Sequence, residues 1–184
     1  SSAAKQLGVK YAAIEEAAAK DIVILAVPIS ELEAVVNKIK NLVKSGALVM
    51  DVCSVKDYPI KVMSKSLSSG VEIIGTHPLF GPDSLHYAEA KNVVLCPVRS
   101  KQTAKVAEYL GRKGFRPILT GAETHDRAIA LAINIPHIVG RALKEIDAVE
   151  SEISTINYGK LLQIMSSATK DSEQLFNDIR KYNR

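Results

Sequence analysis

The chain has 184 residues, 24 Lys and Arg against 20 Asp and Glu, 47% hydrophobic content, three Phe, six Tyr and no Trp. That length holds one good core, or one domain and part of a second, and the composition excludes disorder and collagen. A net charge of +4 that is gathered into no block, with few aromatics to stack bases on, argues against nucleic acid as a partner.

In chain order, residues 3–7 (AAKQL) read as a helix end stopped by Gly8, 9–11 as a short strand and 14–20 as a helix. Residues 22–27 (IVILAV) are the clearest strand, ended by Pro28, which cannot donate to a ladder. Ser30 with Glu33 forms a capping-box pattern, and Leu32, Val35, Val36, Ile39, Leu42 and Val43 predict a helix to about residue 44. Strands follow at 47–51, 71–75 and 93–96, with helices at 59–67 and 103–111. These nearly unbroken apolar runs alternating with helices are the pattern of parallel strands covered on both faces.

From about residue 121 the strand-like runs vanish, and helices are predicted over 124–149, 153–166 and 172–183. The expected class is therefore α/β. A partial Rossmann domain, a parallel doubly wound sheet, covers 1–118, and an all-helical segment covers 119–184. Both ends read as unfinished: the α/β part opens on a helix, and no GxGxxG occurs. No apolar run reaches about 18 residues and no leader pattern opens the chain, so no membrane span or signal peptide is expected. Cys53 and Cys96 sit in apolar stretches without CxxC or ligand-spaced His, which fits buried thiols in a reducing cytoplasm and no metal site.

Three loops at carboxyl ends of the strands hold the residues able to carry chemistry, which is where open α/β sheets bind ligands. They are 27–30 (VPIS), 51–56 (DVCSVK) and 75–83 (GTHPLFGPD). His77 is the group best suited to exchange a proton at neutral pH, with the Gly/Pro-rich 80–83 as a rigid wall; the plain alternative is a loop histidine with no role. Ser54 reads either as a hydrogen-bond partner orienting His77 or as a helix cap, and Lys56 either as a carboxylate or phosphate ligand or as a solvated lysine. His125 and His137, twelve residues apart on one predicted helix, stand about 120° apart around it and border one groove. Asp126, next to His125, is expected to point elsewhere. Pro136 is expected to kink that helix, and His137 reads either as a site residue or as a satisfied core histidine.

At these loops the chain resembles the prephenate/arogenate dehydrogenase family of tyrosine biosynthesis. The likeness rests on DIVILAVPIS (21–30), DVCSVK (51–56), GTHPLFGPDS (75–84), ETHD (123–126) and IPH (135–137). It implies an NAD- or NADP-dependent oxidoreductase that oxidises prephenate to 4-hydroxyphenylpyruvate, or arogenate to tyrosine, with loss of carbon dioxide. By motif, His77 matches the catalytic base and Ser54 the serine that holds it. Lys56, His125 and His137 match substrate-binding positions, and Val27, Pro28 and Ser54 cofactor-binding ones. The resemblance also implies a cytoplasmic homodimer formed through the helical domain. Without the glycine-rich unit, these 184 residues alone are expected to bind dinucleotide weakly and to be inactive. Ser167 stands where the family usually has a carboxylate-gripping arginine, which bears on prephenate affinity more than on reaction type. The alternatives are a related Rossmann-plus-helical dehydrogenase such as a β-hydroxyacid dehydrogenase or imine reductase, against which THPLFGP argues, and a homologue that binds ligands without turnover.

Overall fold

A computed structural model describes residues 2–81 and 91–183. Strands β1 (Ile22–Leu25), β2 (Leu48–Asp51), β3 (Glu72–Pro78), β4 (Asn92–Arg99) and β5 (Arg116–Leu119) form one sheet in sequential order. The β1/β2, β2/β3 and β4/β5 pairs are parallel and β3/β4 is antiparallel. The α/β class thus stands, with one departure from the fully parallel sheet that the sequence suggests. Because β4 returns alongside β3, the third strand does not stop at Gly75 but runs on through Thr76, His77 and Pro78, paired to Leu95, Val94 and Val93. His77 is consequently a strand residue rather than a loop residue.

The helices of this part are α1 (Ser2–Gln6), α2 (Ile14–Ala18), α3 (Leu32–Ile39), α4 (Asp57–Ser66) and α5 (Thr103–Arg112). On one face of the sheet, Val23, Leu25, Val49 and Ile73 meet Leu32, Val36 and Ile39 of α3 and Val62 and Met63 of α4. On the other, Leu48, Ile74, Val93 and Leu95 meet Val106, Ala107 and Leu110 of α5. Alternate residues of β2 and β3 serve the two layers, as the pleat requires. The edge strands depart: Ile22 and Ile24 of β1 are 56% and 57% exposed, because α5 packs at the β4 and β5 end of the sheet, and Leu119 of β5 is 57% exposed.

Two local expectations are corrected and one unpredicted strand is added. Residues 9–11 form no strand; Val9 N–H instead donates to Ala4 O at 3.0 Å behind a left-handed Gly8, and Val9 and Tyr11 stay exposed. Arg116–Leu119 is a strand that Pro117 disguised, and proline is tolerated there because β5 is an edge strand. The Ser30/Glu33 capping box does not form: a 3-10 turn, Ile29–Glu31, leads into α3, which stops at Ile39. Ser30 instead donates its N–H and Oγ–H to Asp178 Oδ2, at 3.1 and 2.9 Å.

After β5 the described chain is helical: α6 (Ala122–Ile129), a π-helical turn Ala130–Asn134, α7 (Ile135–Glu145), α8 (Ile156–Ala168) and α9 (Glu173–Tyr182). The long helix predicted over 124–149 is therefore interrupted and ends early. Pro136 lies in the first turn of α7, where it needs no backbone N–H partner, and the π turn before it takes up the irregularity. Gly140 lets α7 and α8 touch, since a Cβ there would lie 2.9 Å from Ala168 Cβ. Helix α9 folds back on the sheet part: Ile179 joins the first core, and Tyr182 packs on Tyr58 with ring centroids 4.3 Å apart.

Candidate active site

The strand register sets the site. Leu25, Asp51 and Gly75 are paired across β1, β2 and β3, so Val27, Cys53 and His77 each lie two residues past one line on the same rim. At the β1 and β2 ends is a cleft of about 220 Å³, lined by Val27, Pro28, Ile29, Val52, Cys53 and Ser54 and closed by Ser172, Gln174, Leu175 and Asp178. The structure thus brings Val27, Pro28 and Ser54 to one wall. Cys53, on that wall, has its thiol pushed up to about 12 by burial and the nearby Asp51 carboxylate, which leaves it unreactive at neutral pH.

His77 lies on the neighbouring strand and is 5% exposed. Its Nδ1 is 2.9 Å from Nε2 of His125, with the rings edge to face. No hydrogen bond joins it to Ser54 among the described residues. Burial, then the charges of His125 and Lys56, push His77 down to about 3 against the pull of Asp126. It is therefore neutral at neutral pH, the state in which an imidazole can accept a proton. The wall expected at 80–83 lies outside the described residues from Pro82 onward.

Asp126 corrects the expectation that it points away from His125. Its Oδ1 lies 2.7 Å from His125 Nδ1 and accepts the Lys56 N–H at 2.7 Å, while Oδ2 accepts the Asp57 N–H at 2.9 Å. The carboxylate of α6 thereby caps α4. Burial by itself would raise Asp126; hydrogen bonds from His125 and from the Asp57 and Lys56 N–H groups outweigh it and hold the carboxyl below its usual range.

Lys56 is placed differently from the solvated or ligand-gripping lysine read from sequence. Its side chain is fully buried, ion-paired to Asp51 Oδ2 and donating to Thr76 O at 2.5 Å. Gly75 makes this possible, since a Cβ there would stand 3.3 Å from Lys56 Cδ and 2.8 Å from Ile60 Cδ1. His137 joins other neighbours: its Nε2 lies 3.1 Å from Asp171 Oδ2, and its ring stacks on Phe176 at 6.0 Å. Burial, together with Arg141, lowers its pKa against the pull of Asp171. Ser167 donates to Ile164 O at 3.0 Å on α8. Asp51, Gly75 and Asp178 support the site without having been singled out, and Asp126 does so although the sequence suggests that it points elsewhere.

A family model described as prephenate dehydrogenase, nucleotide-binding domain, matches residues 1–119. The chain belongs to this prephenate dehydrogenase family. It is 32% identical to a probable arogenate/prephenate dehydrogenase of Methanocaldococcus jannaschii, over 97% of this chain and 43% of that protein. It is 27% identical to the chloroplastic arogenate dehydrogenase 2 of Arabidopsis thaliana, over 89% of this chain and 48% of the relative. The prephenate dehydrogenase of Aquifex aeolicus, solved with hydroxyphenyl propionate and NAD+, has the same fold: TM-score 0.76 at 23% identity, over 99% of this chain and 69% of that one. The chain thus spans under half the length of the two curated relatives.

Proposed function

We propose that the protein carrying this chain is an NAD(P)-dependent dehydrogenase that oxidatively decarboxylates prephenate or arogenate, with His77 as general base. The observation that carries the reading is a buried histidine, held neutral by its surroundings, on the rim that also bears the cleft. That cleft suits the nicotinamide end of the cofactor: apolar Val27, Pro28, Ile29 and Val52 offer a surface for a flat ring, and Ser54 a hydroxyl for its polar edge. At about 220 Å³ it is smaller than the ~300–1,000 Å³ typical of whole-ligand pockets. When bound there, the oxidised nicotinamide supplies the hydride acceptor.

The work of this chain is then proton management. As hydride leaves the carbinol carbon, the hydroxyl proton passes to His77. The bond to the ring carboxylate breaks, carbon dioxide departs, and its electron pair completes the aromatic ring. The phenol oxygen needs its proton back, so His77 acts first as base and then as acid, with no net proton released. Lys56 serves this reading from behind: by binding Thr76 O it holds the strand that presents His77.

The division near residue 119 into a dinucleotide-binding part and a helical part is supported by the end of β5 at Leu119. A homodimer through the helical part is supported by the exposed Leu131, Ile135, Ile138, Ile146, Ile153 and Ile156. A cytoplasmic location is supported by two buried, unpaired cysteines, and no helix among the described residues is long and apolar enough to cross a membrane. The test is the absorbance of reduced nicotinamide when the protein meets NAD+ or NADP+ with prephenate or arogenate. Turnover with one pair is expected. Tight cofactor binding without turnover on either substrate would favour a homologue that only binds.

A further inference from the structure

We propose that His125 and Asp126 act with His77 as a proton relay, in which Asp126 sets the tautomer of both rings and His125 accepts the Nδ1 proton of His77 as His77 takes the proton of the substrate hydroxyl. The proposal rests on the reading of His77 as the base and adds two positioning residues that act through it.

The geometry runs in one direction. Asp126 is anchored by two backbone N–H groups at the start of α4, where the helix end also favours an anion. A carboxylate held this way faces a donor at His125 Nδ1, 2.7 Å away. With its one proton there, His125 presents a lone pair at Nε2, and the 2.9 Å contact to His77 Nδ1 requires His77 to donate. His77 is left with its lone pair on Nε2, the nitrogen that must receive the proton. The tautomer of the base is thus fixed by a carboxylate two hydrogen bonds away.

The transfer balances. The substrate O–H bond breaks and an N–H bond forms at His77 Nε2; the His77 Nδ1–H bond breaks and one forms at His125 Nε2. His77 stays neutral, His125 becomes an imidazolium, and Asp126 remains the anion beside it. The same steps in reverse return the proton to the phenol oxygen. A relay meets a need of this site, because His77 is buried and poorly placed to keep a positive charge. The charged or titratable groups around the pair are Lys56, paired to Asp51; Asp57, whose carboxylate is paired to Lys61; and Cys96, opposite Gly75. Of these, the Lys56 charge opposes a cation at His77, while Asp126 favours one on the ring it touches.

Two measurements test it. In 15N NMR spectra of the wild-type protein at neutral pH, both His77 and His125 are expected to carry their proton on Nδ1, and Asp126→Asn to move His77 toward the Nε2–H form. An Nε2–H tautomer of His77 in the wild type overturns the relay. In the enzyme, His125→Gln is expected to lower kcat about ten-fold or more and to shift the acid limb of its pH profile, with KM little changed. An effect on KM alone, or none, overturns it and assigns His125 to substrate binding or to packing. Should Asp126→Asn not fold, because the α4 cap is weakened, the wild-type spectrum and His125→Gln decide. Nδ1 protonation of both rings in a protein without turnover on either substrate would support the relay and refute the reaction.

Discussion

Lys56 and Asp51 form an ion pair in which both side chains are fully shielded from solvent, directly beneath the strand that carries His77. A buried charge left alone costs about 3–5 kcal/mol. Lys56→Met is therefore expected to destabilise the fold by that order in urea denaturation, and adding Asp51→Asn to recover part of the loss. A Lys56→Met protein as stable as wild type would show that the pair is not buried in solution.

Gly75 is needed for space, since its backbone is ordinary β3 strand. A Cβ would meet Ile60 Cδ1 at 2.8 Å and crowd the Lys56 stem. Gly75→Ala is expected to cost about 1–3 kcal/mol, and Ile60→Val, which removes that Cδ1, to restore part of it. If the double variant is no more stable than Gly75→Ala, Ile60 is not the obstacle.

Stability should fall with acid in a window set by His77. An unfolded imidazole takes its proton near pH 6.5, whereas His77 in the fold does so only near pH 3. Between these values the unfolded chain binds the extra proton, so stability declines as pH drops through the window. His137, also lowered, adds in the same sense, and Asp126 adds below the ordinary carboxylate range. His77→Asn is expected to flatten the slope of melting temperature against pH between about 6 and 4; an unchanged slope would contradict the neutral, buried state of His77.

Asp178 closes the cleft by accepting both the N–H and the hydroxyl of Ser30. Asp178→Ala leaves two part-buried donors without that partner, at about 1–3 kcal/mol. It is expected to loosen α9 and to raise KM for the nicotinamide cofactor more than it lowers kcat. Equal KM values would mean that α9 does not shape the cofactor cleft.

Much of this was legible in the sequence. The run IVILAVP placed β1, which stops at Leu25 rather than Val27, and the loops after β1 and β2 supplied the residues that line the cleft. His77 stood out in the sequence as the candidate proton acceptor, and it keeps that role in the proposed reaction. What escaped depended on contacts that no spacing encodes. Asp126 and His125 are adjacent in the chain, and helical phase alone sends adjacent side chains apart. Their bond exists because Asp126 is drawn to the start of α4 by two N–H groups some 70 positions away in sequence. Lys56 read as a solvated or ligand-gripping lysine because nothing in DVCSVK says that Gly75, on the next strand, leaves a channel for its stem. The antiparallel return of β4 was equally silent: VVLC reads as a buried strand in either direction.

The measurement that bears most directly on the account is the turnover number of the His77→Asn protein with the substrate and cofactor that the wild type uses. Asparagine keeps a polar side chain near the same place and cannot take the hydroxyl proton. A fall in kcat of about 100-fold or more, with cofactor binding retained, is predicted. A turnover number equal to that of the wild type would show that another group removes the proton, and the central assignment would fail.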